Sequence, residues 1–174
     1  MNSKRGWGLP DREHLRIKSE ERERTAVMDS EEFVKERVHS FYWDEDINCA
    51  ATCLRILAEK FSVILHPQVI DAALGMHGAG KYGAQCGLVE GTLMFIGIIG
   101  KSLGMSNDDI IDSCSVFAEE FEERFGSLVC AVLRPAGFSE ENEPHLCEDI
   151  TCRAVTHSIG FISGVIRRAK NNDP

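Results

Sequence analysis

An all-α fold is predicted by three features of this 174-residue chain. Apolar residues recur at steps of three and four, capping residues stand just ahead of those runs, and no segment alternates apolar with polar residues as a half-buried strand would. Together they predict a single-domain helical bundle of about five to six helices around a central, buried, Gly-rich helix. Some 43% of the residues are hydrophobic, enough for one compact core but not for two.

The first helix is expected from Ser30 to about Trp43. Phe33, Val34, Val38 and Phe41 keep helical spacing there, and Glu31 and Glu32 lie in the first turn, where the helix dipole favours negative charge. The acidic run Asp44 to Asp46 ends it. Asn48 is a candidate N-cap for a second helix, in which Ala50, Cys53, Leu54, Leu57 and Phe61 form the apolar line. Pro67 suits the first position of a short helix reaching about Leu74. The loop GMHGAGKYGAQCG follows and feeds the most apolar stretch, Leu88 to Leu103, which Glu90, Thr92 and Lys101 make unsuited to a bilayer. This stretch reads as the central helix, with Gly87, Gly91, Gly97 and Gly100 expected to let neighbouring backbones come close.

Ser106 with Asp109 forms a variant capping box that opens a helix with Ile110, Cys114, Phe117, Phe121 and Phe125 on one face; Gly126 closes it. After the short segment SLVCAVLRP, Pro135 to Pro144 is a polar loop. The last helix is expected from about Leu146 to Lys170, with basic residues at its C-terminal end.

The net charge of −9 argues against nucleic-acid binding, which requires Lys and Arg to neutralise phosphates. Residues 1–27 carry +2 and the rest −11, so 1–27 reads as a flexible charged extension and 28–174 as the helical domain. Met28 stands just before the first capped helix, which makes an over-called start one explanation of that extension. No apolar secretory segment and no membrane span is evident, so a cytoplasmic protein with reduced thiols is expected.

The seven cysteines then gain meaning. Cys53 and Cys114 lie on apolar helix faces, as packed cysteine does. Cys152 lies on a line with Val155, Ile159, Ile162 and Ile166. Cys49, Cys86, Cys130 and Cys147 instead fall at or near helix boundaries, where first-turn N–H groups and the dipole are expected to depress a thiol pKa. Burial is common for cysteine, so plain packing is the competing explanation. Four soft sulfur donors suit an iron–sulfur cluster, or zinc as the alternative. The spacings of 37, 44 and 17 residues match no zinc-finger pattern, and no C-x-x-C is present. Gly75 to Lys81 fits G-x-x-x-x-G-K, but Tyr82 replaces the Ser or Thr that binds Mg²⁺ and a helix precedes the loop, so phosphate binding is not expected. His77 and His145 stand near Cys86 and Cys147 and are candidates to replace a sulfur ligand. His39, His66 and His157 carry no signal.

The runs INCAATCLRILAEKF, QCGLVEGTLMFIGIIG, EEFEERFGSLVC and HLCEDITCRAV, in this order, resemble the redox-active proteins labelled C_GCAxxG_C_C over about residues 33 to 165. The central element reads Gln85, Cys86, Gly87, Leu88, a departure from the letters of the label. At the last position Cys147 fits better than Cys152, because Ile150 and Ala154 follow at the expected offsets. The resemblance implies a small helical bundle whose four cysteines form a redox or metal site, with no assigned reaction. Related modules occur joined to c-type haem domains, but this chain lacks C-x-x-C-H and should hold no covalent haem.

The resulting expectation is a redox protein in which Cys49, Cys86, Cys130 and Cys147 bind an iron–sulfur cluster or other metal for electron transfer or redox sensing. The alternatives are a thiol–disulfide oxidoreductase with a reversible cysteine pair and a structural zinc-binding interaction module. Its partner would be a redox protein of unknown identity, and homodimerisation is left open.

Overall fold

The structure, a computed structural model, describes residues 30–171. The expectations for residues 1–27, Met28 and the cap at Asp29 lie outside them. Seven helices make up the fold: α1 (30–43), α2 (Cys49–Lys60), α3 (Pro67–Ala72), α4 (Gly87–Ser102), α5 (Asn107–Phe125), α6 (Cys130–Leu133) and α7 (Glu148–Asn171). A 3₁₀ turn, Ala73–Gly75, extends α3. Among the described residues there is no strand, only an isolated antiparallel bridge between Gln85 and Val129. The fold is all-α. The helix beyond the expected six is α6, a single turn too short to leave a periodic signal.

Local chemistry sets most boundaries. Asn48 caps α2 as expected: its side-chain oxygen accepts from Ala50 N at 2.9 Å and Ala51 N at 3.1 Å, an arrangement worth about 1 kcal/mol. Its amide also donates to the carbonyls of Ala73 and Leu74, tying the start of α2 to the turn after α3. Ser106 caps α5 by accepting from Asp109 N, and its hydroxyl donates to the Asp109 carboxylate at 2.6 Å. In a full capping box that carboxylate would reach the backbone N–H of the cap instead. Gly126 ends α5 with φ of 88°, the left-handed conformation glycine adopts without strain.

The core forms where α4 runs between α2, α5 and α7. Leu88, Val89, Phe95 and Ile96 of α4 are buried against Leu54 and Leu57 of α2, Phe117 and Phe121 of α5, and Ile162 of α7. Burying each such side chain stabilises the fold by about 1.5–3 kcal/mol. The closest approach is between α2 and α4. A Cβ on Gly91 would stand 2.5 Å from the Ala50 carbonyl oxygen, and one on Gly87 would stand 2.5 Å from Cys49 Sγ. Gly100 is likewise pressed by Ile110, whereas Gly97 has nothing within 4 Å, so the expected close approach does not extend to it.

Polar groups in this core are paired around Thr92, whereas Thr52 Oγ1 is buried without a hydrogen-bond partner. Thr92 Oγ1 donates to Leu88 O at 2.8 Å and shares a hydrogen bond with Ser158 Oγ at 2.9 Å; Cys53 Sγ lies 3.3 Å from the same hydroxyl. Among the described residues no helix is long and apolar enough to cross a membrane.

Candidate functional site

Four segments begin at one pole of the bundle, and each brings a cysteine. Cys49 is the first residue of α2, Cys86 is the N-cap of α4, Cys130 opens α6, and Cys147 directly precedes α7. Cys86 and Cys130 are held side by side by a short ladder: Cys86 N donates to Leu128 O at 2.8 Å, Cys130 N to Ala84 O at 2.6 Å, and Ala131 N to Gly83 O at 3.0 Å. The Cys86 carbonyl already accepts from Val89 N and Glu90 N, the first bonds of α4.

The glycine-rich loop closes over this ladder. Gly78, Ala79, Gly80, Lys81 and Gly83 all have positive φ, so what the sequence suggested as loop is a tight left-handed turn. It presses against α6. A Cβ on Gly78 would lie 3.0 Å from Cys130 Sγ, and one on Gly83 3.0 Å from the Ala131 Cβ. Side chains at Gly78 and Gly87 would therefore fill the space beside the sulfurs of Cys130 and Cys49. The same turn wraps a thiol and follows a helix, unlike a phosphate-binding loop after a strand.

Arg134, just past α6, reaches the last cysteine: its Nη1 lies 3.4 Å from Cys147 Sγ while Nε donates to Gly137 O at 2.6 Å. The guanidinium also lies 4.8 Å from the Phe138 ring centroid. Tyr42 of α1 is buried behind the cysteines, its hydroxyl sharing a 2.7 Å hydrogen bond with Thr151 Oγ1.

The electrostatics reverse one expectation. Cys49 has its pKa raised well above the usual thiol range by burial, and negative charge on Cys86, Cys147 or Cys130 would raise it further. Burial pushes Cys86 up to about 11, against the opposing effect of backbone N–H donors at Leu88 and Val89. Those donors point at the sulfur as a helix N-terminus should, but desolvation outweighs them. Burial and the neighbouring Cys147 raise Cys130, with Arg134 lowering it in part. Tyr42 is held well above its ordinary value, chiefly by burial and next by Cys49. Burial first, and neighbouring sulfurs next, thus oppose ionisation of Cys49, Cys86 and Cys130.

The remaining cysteines separate from this group. Cys53 is buried in the Thr92 and Ser158 network and pushed up to about 12 by burial. Cys114 is half-buried on α5 and packs on the edge of the core. Cys152 is raised by burial and then by Glu148 and Asp149, none of them a thiol, so Cys147 and not Cys152 joins the other three. Among the described residues no group of three or more His, Cys, Asp or Glu side chains is already arranged to hold a metal ion, and all seven cysteines are free thiols.

The histidines take places the sequence did not reveal. The ring of His145 stacks on Tyr42 with centroids 5.2 Å apart, in place of the ligand role considered for it. His77 leaves a buried Nδ1 without a hydrogen-bond partner beside Gly78. His39 pairs with Glu148, and His157 packs on Phe117 and Phe125 with burial lowering its pKa. Sequence reasoning also missed Arg134 and Tyr42. Each is remote from its cysteine partner along the chain or lies on an otherwise ordinary helix face, so no spacing marks it.

A family model described as "Putative redox-active protein (C_GCAxxG_C_C)" matches residues 47–159, a narrower span than the resemblance read from the sequence but one containing all four cysteines of the pole. No curated protein and no solved structure matches the chain. With the family match covering well over half its length, the chain belongs to the C_GCAxxG_C_C family of redox-active proteins.

Proposed function

We propose that Cys49, Cys86, Cys130 and Cys147 together hold an iron–sulfur cluster and that the protein serves electron transfer or redox sensing. One observation carries this reading: four thiols, buried or half-buried, come from four segments to one pole, where burial and neighbouring sulfurs disfavour the thiolates of Cys49, Cys86 and Cys130 in the absence of positive charge. The donor set is sulfur throughout, which suits iron–sulfur ligation. Glycine at positions 78 and 87 leaves free the space that a Cβ would fill beside two of the sulfurs. When bound, the cluster would supply one-electron chemistry. The chain's own part is to give up thiol protons on assembly, to exclude water through the surrounding core, and to place the Arg134 guanidinium beside Cys147.

Protein purified without oxygen from iron-replete cells is expected to show a visible absorption band with near-stoichiometric iron and sulfide. Colourless protein free of iron would overturn the reading. Stoichiometric zinc with unfolding on chelation would instead identify a structural zinc module.

A second reading rests on Arg134. The Arg134 guanidinium contacts Cys147 Sγ and partly offsets the rise that burial and Cys147 impose on Cys130, which suits exchange between these two thiols: their sulfurs join as two electrons and two protons pass to a disulfide of the redox partner, which is reduced to two thiols. A redox titration followed by alkylation and mass spectrometry tests it. A Cys130–Cys147 pair that interconverts supports the oxidoreductase, and four thiols alkylated alike at every potential rule it out. In either case we read the partner as another redox protein, and a site that works through reduced thiols would suit a reducing compartment such as the cytoplasm.

A further inference from the structure

The C-terminal end of α1 lies outside the span matched by the family, yet its side chains close on the segment that carries Cys147. Trp43 Nε1 donates to Glu148 Oε2 at 3.0 Å, and His39 Nδ1 lies 3.0 Å from the other oxygen of the same carboxylate. Tyr42 shares its hydroxyl hydrogen bond with Thr151. On the other side of Cys147, the His145 ring stacks on Tyr42 and sits 4.7 Å from the Trp43 ring, with its backbone at φ of 57°. A non-glycine residue with that φ is strained, and it persists where surrounding contacts impose it. Positions 145, 148 and 151 are thus all gripped by α1, and Cys147 stands between them.

The grip matters because of what precedes it. Cys147 follows the loop from Pro135 to Pro144, whose anchors are the bonds of Arg134 and Asn142 to the carbonyls of Ala136 and Gly137 near its start. The other three cysteines are fixed by the α2 cap and the backbone ladder; Cys147 has neither. We infer that His39, Tyr42 and Trp43 are positioning residues: an aromatic clasp on α1 that holds Cys147 against the other three cysteines. The inference extends the four-cysteine reading to a helix beyond the family span, and it rests on that reading for its functional meaning.

The test uses the full, reduced, metal-free chain and measures how fast iodoacetamide alkylates each cysteine, resolved by mass spectrometry, with Cys86 and Cys130 as internal references. Trp43→Ala is expected to speed alkylation of Cys147 about tenfold, the effect on local opening of losing a hydrogen bond and a stacking contact, while leaving the reference rates within about twofold. Trp43→Phe keeps the ring against His145 but lacks the N–H, and should restore most of the protection, leaving an increase of about threefold. Should Trp43→Ala fail to fold by circular dichroism, Glu148→Ala removes the acceptor that Trp43 and His39 share while leaving the rings in place, and should speed alkylation of Cys147 about threefold. An unchanged Cys147 rate in a folded variant, or an equal rise at all four cysteines, would overturn the clasp. Iron and sulfide in the wild-type protein are measured separately, so absence of a cluster sinks the cofactor reading without touching this result.

Discussion

Cys49 and Cys53 stand one turn apart on α2, and burial raises the pKa of both, yet they belong to different chemistries. Cys53 approaches the Thr92 hydroxyl and the Leu88 carbonyl, so its thiol is part of a satisfied polar network. Cys49 has no such partner; the groups that bear on its ionisation after burial are all cysteines, Cys86, Cys147 and Cys130 of the pole and, last, Cys53 itself. Burial and an elevated pKa therefore do not mark a functional cysteine. What separates Cys49 from Cys53 is its surroundings, other thiols in place of a hydroxyl and a carbonyl.

Glycine packing offers the strongest way to break this comparison. Gly91→Ala would drive a Cβ into the Ala50 carbonyl beside Cys53, and Gly87→Ala would drive one into Cys49 Sγ and toward Ala50 N at 3.0 Å. Backbone cannot move aside as a side-chain tip can. Gly91→Ala should therefore cost about 3 kcal/mol, lowering Tm by about 6–12 °C in a chain of this size. Gly87→Ala should also lose iron or thiol exchange, because the clash is with a site sulfur. Gly97→Ala, in open space on the same helix, should stabilise by up to about 1 kcal/mol. Thermal unfolding of the three variants checks the order.

Alkaline pH probes both cysteines of the comparison and their neighbour Cys86. The folded protein holds the Cys86 proton to about pH 11 and the Cys53 proton to about 12, whereas ordinary thiols ionise near 9. The unfolded chain thus binds fewer protons in this range, so stability falls as pH rises. The contribution is complete below about pH 9 and is lost through 11 and 12 in the metal-free reduced protein. Cys86→Ala should make the decline shallower between about pH 9 and 11, and Cys53→Ala should make it shallower there and also remove its continuation toward 12, as read by urea unfolding at stepped pH. A pH-independent midpoint between 8 and 11 would contradict the assignment.

Single cysteine replacements give a smaller and sharper separation. Cys53→Ala should cost about 1–2 kcal/mol and leave iron content and thiol exchange unchanged, since Thr92 keeps its bonds to Ser158 and Leu88. Cys49→Ser should change Tm little and abolish iron binding. The same contrast applies to Cys86→Ser. The smallest effect is expected for Cys114→Ala, about 0.5–1 kcal/mol with the site untouched, because this residue is only half-buried on α5. Loss of iron in a folded Cys114→Ala variant would show that the cysteines divide differently.

The helical bundle was legible in the sequence because its signals are local. Asn48, Ser106 and Gly126 act on N–H and carbonyl groups within four residues, and the apolar lines of α2, α4, α5 and α7 repeat within a turn. Helix ends are equally local, so the placement of Cys49, Cys86 and Cys147 at or next to helix starts could be read in advance. The turn of α6 could not, being a single turn held by a backbone ladder to residues 83 and 84.

What the tertiary structure decided are the properties that depend on what else arrives. The sign of the thiol pKa shifts is one: a helix N-terminus lowers a pKa through a few N–H groups, but burial beneath distant segments raised it more at Cys86. The surroundings of Cys147 are another: the sequence already favours it over Cys152 at the last position of the family pattern, but Arg134 and the side chains of α1 reach it only in the folded chain. Tyr42, Trp43 and His39 join the pole across more than 100 residues of chain, a separation no periodicity can encode. Caps and helix starts are determined by the sequence alone because their energies are exchanged between near neighbours; the thiol site depends on desolvation and convergence, which exist only once the chain has folded.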